Sequence, residues 1–188
     1  MADAGRIIAG SARGIRLEAT GPGTRPLGDR VKQTLFAILE PELSGAWFLD
    51  LFAGSGAAGI EALSRGAAHA TFVEQDRSAV QSIAANLDRA HVADRGTIVR
   101  AEALAWLAAR DQGTGQFDAA FIDPPYAEPQ VLQAALEAVA PHLATGAWIV
   151  AKHFWRSQPP EKIGLLASER ERRFGETALT FYRLQEDR

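Results

Sequence analysis

The segment FIDPPY, residues 121–126, ends an apolar run on one carboxylate, two consecutive prolines and an aromatic ring. Proline has no backbone N–H, so the carbonyls of Pro124 and Pro125 and the carboxylate of Asp123 can only accept hydrogen bonds, with Tyr126 as a flat surface beside them. A ligand suited to this cluster carries N–H donors on a planar group. A second constellation, GSGAAG at residues 54–59, matches the glycine fingerprint of nucleotide-binding turns. Glycine there lets a ligand come close to the backbone. Four residues ahead of Gly54, Asp50 would repel a phosphate and attract a sulfonium or ammonium, which favours S-adenosylmethionine over a nicotinamide dinucleotide. Glu74 offers two oxygens to ribose hydroxyls, a role common to either cofactor. Glu102 is a candidate acceptor for the exocyclic amine of adenine, or else a residue that starts a helix.

These residues need a frame, and the hydrophobic periodicity supplies one. RIIAG and GIRLEA read as the strands of a hairpin, GPGTRPLG as a loop, and from Asp29, a candidate N-cap, Val31, Leu35, Ile38 and Leu39 recur on one helical face until Pro41 ends or bends it. The chain then alternates. WFLDLF, ATFVEQ, GTIVRA, FDAAFID and GAWIVAK are apolar strand patterns separated by helical ones, with Gly66 closing one helix and Asp76 capping the next. Such alternation predicts an α/β fold, a parallel sheet with helices on both faces. LLASERERRFG and ETALTFYRL, joined at Gly175, predict an antiparallel C-terminal hairpin on the sheet edge.

At 188 residues the chain fits one main domain. The expected division is a β-hairpin arm over 1–28 and a cofactor-binding domain over 29–188. With no cysteine and four scattered histidines, a disulfide framework, a thiolate zinc site and a cysteine nucleophile are excluded and no metal is expected. No run is long and apolar enough for a membrane span or a secretory signal, so the cytoplasm is the expected compartment. The net charge is −3, but residues 1–34 hold six basic residues, Arg6, Arg13, Arg16, Arg25, Arg30 and Lys32, against Asp3, Glu18 and Asp29. A basic arm on an acidic body suits local phosphate binding, and a solvated extension is the plainer alternative.

In this topology the fourth strand neighbours the first, so FIDPPY emerges beside the glycine loop. The exocyclic amine of a nucleobase is a poor nucleophile because its lone pair is delocalised into the ring. Hydrogen bonds from its two N–H groups to Asp123 and the Pro124 carbonyl would favour a pyramidal nitrogen and aim the lone pair at a methyl group. Asp123 would stabilise the cationic nitrogen and accept or relay its proton. Tyr126 would stack on the extruded base, worth about 1 to 3 kcal/mol.

With DLFAGSG, Glu74 and DPPY in this order, the chain resembles the Rossmann-like S-adenosylmethionine-dependent methyltransferases that act on amine or amide nitrogens. RIIAGSARGIRL, RPLGDRVKQTLFAIL, FLDLFAGSGAAGIEALSRGA and FGETALTFYR narrow this to a resemblance to the RsmD family, bacterial guanine-N2 methyltransferases of 16S ribosomal RNA. The resemblance implies a seven-stranded methyltransferase sheet and a monomer acting on 16S ribosomal RNA in the assembling small subunit. It places Asp50, Phe52, Ala53, Gly54, Ser55, Gly56, Glu74, Gln75, Glu102, Ala103 and Asp123 at the cofactor, and Asp123, Pro124, Pro125 and Tyr126 at the base. Arg25, Asp29 and Arg30 would line the approach, with Arg6, Arg13, Arg16 and Lys32 as further RNA contacts. Leu27 and Gly28 depart from the family's two threonines, and Lys152 and His153, expected to face RNA or solvent, stand where an acidic residue is usual. A DNA amino-methyltransferase, a noncatalytic RNA-binding assembly factor and a nicotinamide dehydrogenase remain as alternatives.

Overall fold

A computed structural model describes residues 2–19, 27–111, 117–125 and 128–186. Strands β1 (Ala2–Arg6) and β2 (Arg16–Ala19) form a small antiparallel hairpin, followed by helix α1 (Asp29–Leu43). Parallel strands β3 (Trp47–Leu51), β4 (His69–Glu74), β5 (Gly96–Arg100), β6 (Phe117–Ile122) and β7 (Leu143–Phe154) are joined through α2 (Ala57–Ser64), α3 (Arg77–Arg89), α4 (Ala103–Ala109) and α5 (Pro129–Val139). Then β8 (Lys162–Ile163), β9 (Leu166–Phe174) and β10 (Thr177–Leu184) add antiparallel pairs, giving the order β5-β4-β3-β6-β7-β10-β9-β8.

Alternation along the strands divides the core. Phe48, Phe72, Phe121, Val150 and Phe181 pack towards α1, α2 and α3, whereas Leu49, Val73, Ile122, Ile149 and Tyr182 pack towards α4 and α5. No helix among the described residues is long and apolar enough to cross a membrane.

The α/β fold, the five parallel strands and the C-terminal hairpin agree with the sequence reading, and four details differ. The sheet has an eighth strand, because Gly164 at φ 55° lets Lys162–Ile163 fold back on Leu166–Ala167. Asp29 is the first residue of α1 and not its cap; Gly28 holds the cap position, and the Asp29 carboxylate accepts from Arg6 Nε at 2.9 Å. Pro41 lies inside the last turn of α1, which runs on to Leu43. Ala37 and Pro41 are both exposed, so water can serve the carbonyl that the proline leaves without a donor.

The fourth difference concerns the arm. The Ile7 amide still donates across to the Ile15 carbonyl, but residues 8–12 leave the hairpin, and the amides of Ile8, Ala9, Ser11 and Ala12 find partners on α2 instead. Glu61, fully buried, accepts from the Ile8 and Ala9 amides at 2.8 and 3.0 Å and from Arg65 Nε at 2.7 Å. The Ser64 carbonyl and hydroxyl accept from the Ser11 and Ala12 amides. On α3, Asn86 bonds both the amide and the carbonyl of Glu18 and reaches the Ser55 carbonyl at 3.0 Å, which links β2 to the glycine loop. Buried Ile7, Leu17 and Ala19 complete the seat.

Gly10 sits at φ 84°, where a Cβ would lie 1.8 Å from the Ser64 carbonyl oxygen. Gly10→Ala therefore adds left-handed strain to a backbone collision and should destabilise the protein by about 2 to 4 kcal/mol. Thermal denaturation should register this together with new proteolytic cleavage within residues 1–19. An unchanged midpoint and an intact arm would contradict the docking described here.

Candidate active site

Parallel pairing sets Phe48–Leu51 beside Ala119–Ile122, and the Asp123 amide donates to the Leu51 carbonyl at 3.4 Å. The segments that follow β3 and β6 thus leave the sheet side by side. The crossovers from these two strands go to opposite faces, so a crevice opens between them, as open α/β sheets dictate. Its volume is about 720 Å³.

One wall is the glycine loop. Phe52, Gly54 and Gly56 have φ of 66°, 55° and 78°. For a bulky residue such as Phe52 that conformation costs on the order of 1 to 3 kcal/mol, and the surrounding bonds impose it. The Ala53 amide donates to the Val73 carbonyl at 3.0 Å and the Gly54 amide to Glu74 Oε2 at 2.9 Å. The third glycine of the fingerprint has a packing role. A Cβ on Gly59 would lie 2.3 Å from the Phe72 ring, so only glycine lets α2 press this closely on β4.

Gly59 also donates its amide to Asp50 Oδ2 at 2.8 Å. Asp50 is nearly inaccessible, and burial pushes its pKa up to about 8, reinforced by the charges of Asp123 and Glu74 and offset in part by the Gly59 amide. The crevice wall carries carboxylates from Asp50, Glu74, Glu102, Asp123 and Glu128, with Lys152 as the one cation among its described residues. Such a lining suits a cationic guest and disfavours a pyrophosphate.

The other wall begins at β6. Asp123 keeps a quarter of its side chain open, and Lys152 Nζ donates to both of its oxygens at 2.8 and 2.7 Å. Burial pushes the Asp123 carboxyl up, and the Lys152 ammonium opposes that shift. Of the two proline carbonyls, that of Pro125 already accepts from the Glu128 amide at 3.1 Å, whereas no described donor reaches that of Pro124. Asp123, Pro124 and Pro125 all line the crevice.

Residues 5–183 match the family model described as Conserved hypothetical protein 95. The chain belongs to this family. It is 38% identical over 181 residues to YlbH of Bacillus subtilis (strain 168), which carries an rRNA methyltransferase name, covering 95% of this chain and 98% of that one. It is 45% identical over 122 residues to Ribosomal RNA small subunit methyltransferase D of Escherichia coli (strain K12), a match over 64% of this chain and 60% of that one. In structure it superposes on the Escherichia coli protein yhhF, which bears a methyltransferase name, with a TM-score of 0.84 at 35% identity, covering 97% and 98% of the two chains. This agrees with the RsmD resemblance of the motifs.

Within the family frame, Asp50, Phe52, Ala53, Gly54, Ser55, Glu74, Gln75, Glu102, Ala103 and Asp123 all line the crevice, and Gly56 caps α2 just behind it. Tyr126 and Arg25 lie outside the described residues. Glu74 accepts one amide on each oxygen, from Gly54 and Asp76, and Glu102 does the same for Leu104 and Ala105 as the cap of α4. Glu102 thus starts a helix, with a second lone pair left on each oxygen.

Two expectations about cations and one about histidine change. Lys32 is fully buried on the face of α1 that carries Leu35, Phe36 and Leu39, and its ammonium bonds the Arg6 carbonyl, so it anchors the arm and cannot reach a phosphate. Arg6 and Arg16 are exposed but paired with Asp29 and Asp3. Lys152 faces Asp123, not solvent, and buried His153 bonds the Thr180 hydroxyl at 2.8 Å. Arg13 and Arg30 are exposed, with no carboxylate within ion-pair reach among the described residues. Buried Leu27 lines the crevice with an apolar side chain. No described group of His, Asp and Glu could hold a metal ion.

The raised Asp50 pKa has a thermodynamic sign. The unfolded chain releases this proton near pH of about 4 and the folded chain only near about 8, so the folded state holds more protons in that window and stability falls as pH rises through it. Asp50→Asn should remove this decline in the ligand-free protein, flattening the melting temperature between pH 5 and pH 9 relative to the parent. Parallel curves for the two proteins would contradict the assignment.

Proposed function

We propose that this chain transfers a methyl group from S-adenosylmethionine to the exocyclic N2 amine of a guanine in small-subunit 16S ribosomal RNA, acting in the cytoplasm as a monomer on the assembling subunit. The observation that carries the reading is the adjacency of the Asp123 and Pro124 acceptors to the acidic, glycine-walled crevice. The names of the relatives from Bacillus subtilis and Escherichia coli support rRNA as the substrate class.

The residues present fit the cofactor. Glu74 retains lone pairs for ribose hydroxyls after binding the Gly54 and Asp76 amides, Gly54 lets the chain turn tightly beneath the ligand, and Asp50 and Asp123 favour positive charge. Bound there, S-adenosylmethionine supplies a methyl group made electrophilic by its sulfonium.

Asp123 and the Pro124 carbonyl accept the two N–H bonds of the guanine amine, which draws the nitrogen out of conjugation and directs its lone pair into the crevice. As the nitrogen gains its fourth bond, the Asp123 carboxylate stabilises the positive charge and accepts a proton, restoring a neutral secondary amine. No strong base is required, and buried His153 has no part in the reaction. Exposed Arg13 and Arg30 meet backbone phosphates, while the surface ion pairs of Arg6 and Arg16, each worth about 0 to 1 kcal/mol, exchange readily for phosphate.

Labelled methyl transfer to small subunits from a strain lacking the activity should place the label on one guanine amine, and Asp123→Ala should lower the rate by about a hundredfold or more while RNA binding persists. Label on no guanine amine, or an undiminished rate in Asp123→Ala, would overturn the proposal. RNA affinity should also fall with salt, and Arg13→Gln or Arg30→Gln should each reduce the slope of log affinity against log salt by about one. A salt-independent affinity, or unchanged slopes, would remove these arginines from the contact.

A further inference from the structure

We propose that Lys152 is a positioning residue for the target amine: by bonding both oxygens of Asp123 it fixes the plane of that carboxylate and keeps it a charged acceptor beside the crevice. The inference rests on the function proposed above, and it assigns a role to a residue that neither the fingerprint loop nor the proline motif contains.

The geometry is specific. Lys152 stands on β7, which pairs with β6 so that Ile122 lies opposite Ala151, and the next residue of each strand meets the other through side chains. Its ammonium lies 2.8 and 2.7 Å from the two Asp123 oxygens, and its side chain is only 12% exposed. A carboxylate has about four lone-pair sites. Lys152 takes two of them, which leaves one on each oxygen for an incoming N–H. Rotation of the carboxyl group about its Cβ–Cγ bond would break one of the two bonds, so the remaining lone pairs point in a set direction.

The electrostatic surroundings make the cation necessary. The described titratable groups that line the crevice with Asp123 are Asp50 on β3, Glu74 on β4, Glu102 ahead of α4 and Glu128 ahead of α5, all acidic, together with Lys152 on β7. On the side of α1 the wall is Leu27, and His153 points instead to Thr180 on β10. Burial favours a neutral Asp123, and a protonated carboxyl would offer a donor where the amine needs an acceptor. Lys152 is the lining cation that opposes this, and it is directed at Asp123 and not at Asp50.

Lys152→Met keeps the buried stem and removes the charge. In this variant, kcat should fall at least about tenfold at pH 7 and recover towards the parent value by pH 9, because the acid limb of the pH profile moves up by one unit or more. The KM for S-adenosylmethionine should change little, and Lys152→Arg should restore most of the loss at pH 7. A second readout needs no activity: in the ligand-free protein, the carbon-13 carboxyl resonance of Asp123 should titrate at higher pH in Lys152→Met than in the parent. A resonance that titrates at the same pH in both proteins, or a loss of rate equal at every pH, would overturn the proposal. If the parent methylates no guanine amine and the resonance still moves, the proposed function fails while the Lys152–Asp123 assignment stands.

Discussion

The parallel pairing of Leu51 with Ile122 is the contact on which the rest of the site depends. It makes the chain leave β3 and β6 at the same level, so a loop shaped for a nucleoside and a stiff acceptor edge share one crevice although they lie some seventy positions apart in sequence. Each half has its own support. Phe52 in a left-handed conformation and the Gly54 amide on Glu74 hold the loop, and Pro124, Pro125 and the Lys152 ammonium hold the edge. Register links the two, and a slip of one residue would turn Asp123 to the opposite face.

Charge is the second organising constraint. The crevice gathers carboxylates that water would otherwise solvate, and each is managed differently. Glu74 and Glu102 are satisfied by backbone amides and Asp123 by Lys152, whereas Asp50, which among the described residues has the Gly59 amide as its one donor, keeps a pKa raised by burial. The incompletely satisfied group is the one best placed to gain from a cationic ligand. Stability of the empty protein and readiness for the cofactor thus oppose each other at Asp50, as binding sites often require.

Much of this could be read from the residues alone, and the reason is locality. The glycine fingerprint and the acceptor edge are each confined to six consecutive residues, so their chemistry follows from spacing without knowledge of the fold. Partners chosen across the structure are a different matter. Lys152 meets Asp123 from 29 positions away, Asn86 reaches Ser55 from 31, and Glu61 accepts from Ile8 across 53. A carboxylate in the apolar helix AAGIEALS was the available sign that Glu61 had a buried task. Lys32 was similarly detectable, since it stands three, four and seven positions before Leu35, Phe36 and Leu39 on the buried face, whereas a count of charges ignores direction. That the Pro125 carbonyl is engaged was not legible there, because the turn that uses it, Glu128 onto Pro125, forms only with the start of α5.

The central claim is a spatial one: the Asp123–Pro124 edge receives the amine that becomes methylated. A crystal structure with an analogue in which guanine N2 is tethered to the cofactor's sulfur position tests it most directly. The account predicts N2 within hydrogen-bond distance of both the Asp123 carboxylate and the Pro124 carbonyl, with the adenosine half against Glu74 and the glycine loop. Guanine bound with N2 turned away from that edge while the adenosine half is correctly seated would contradict it.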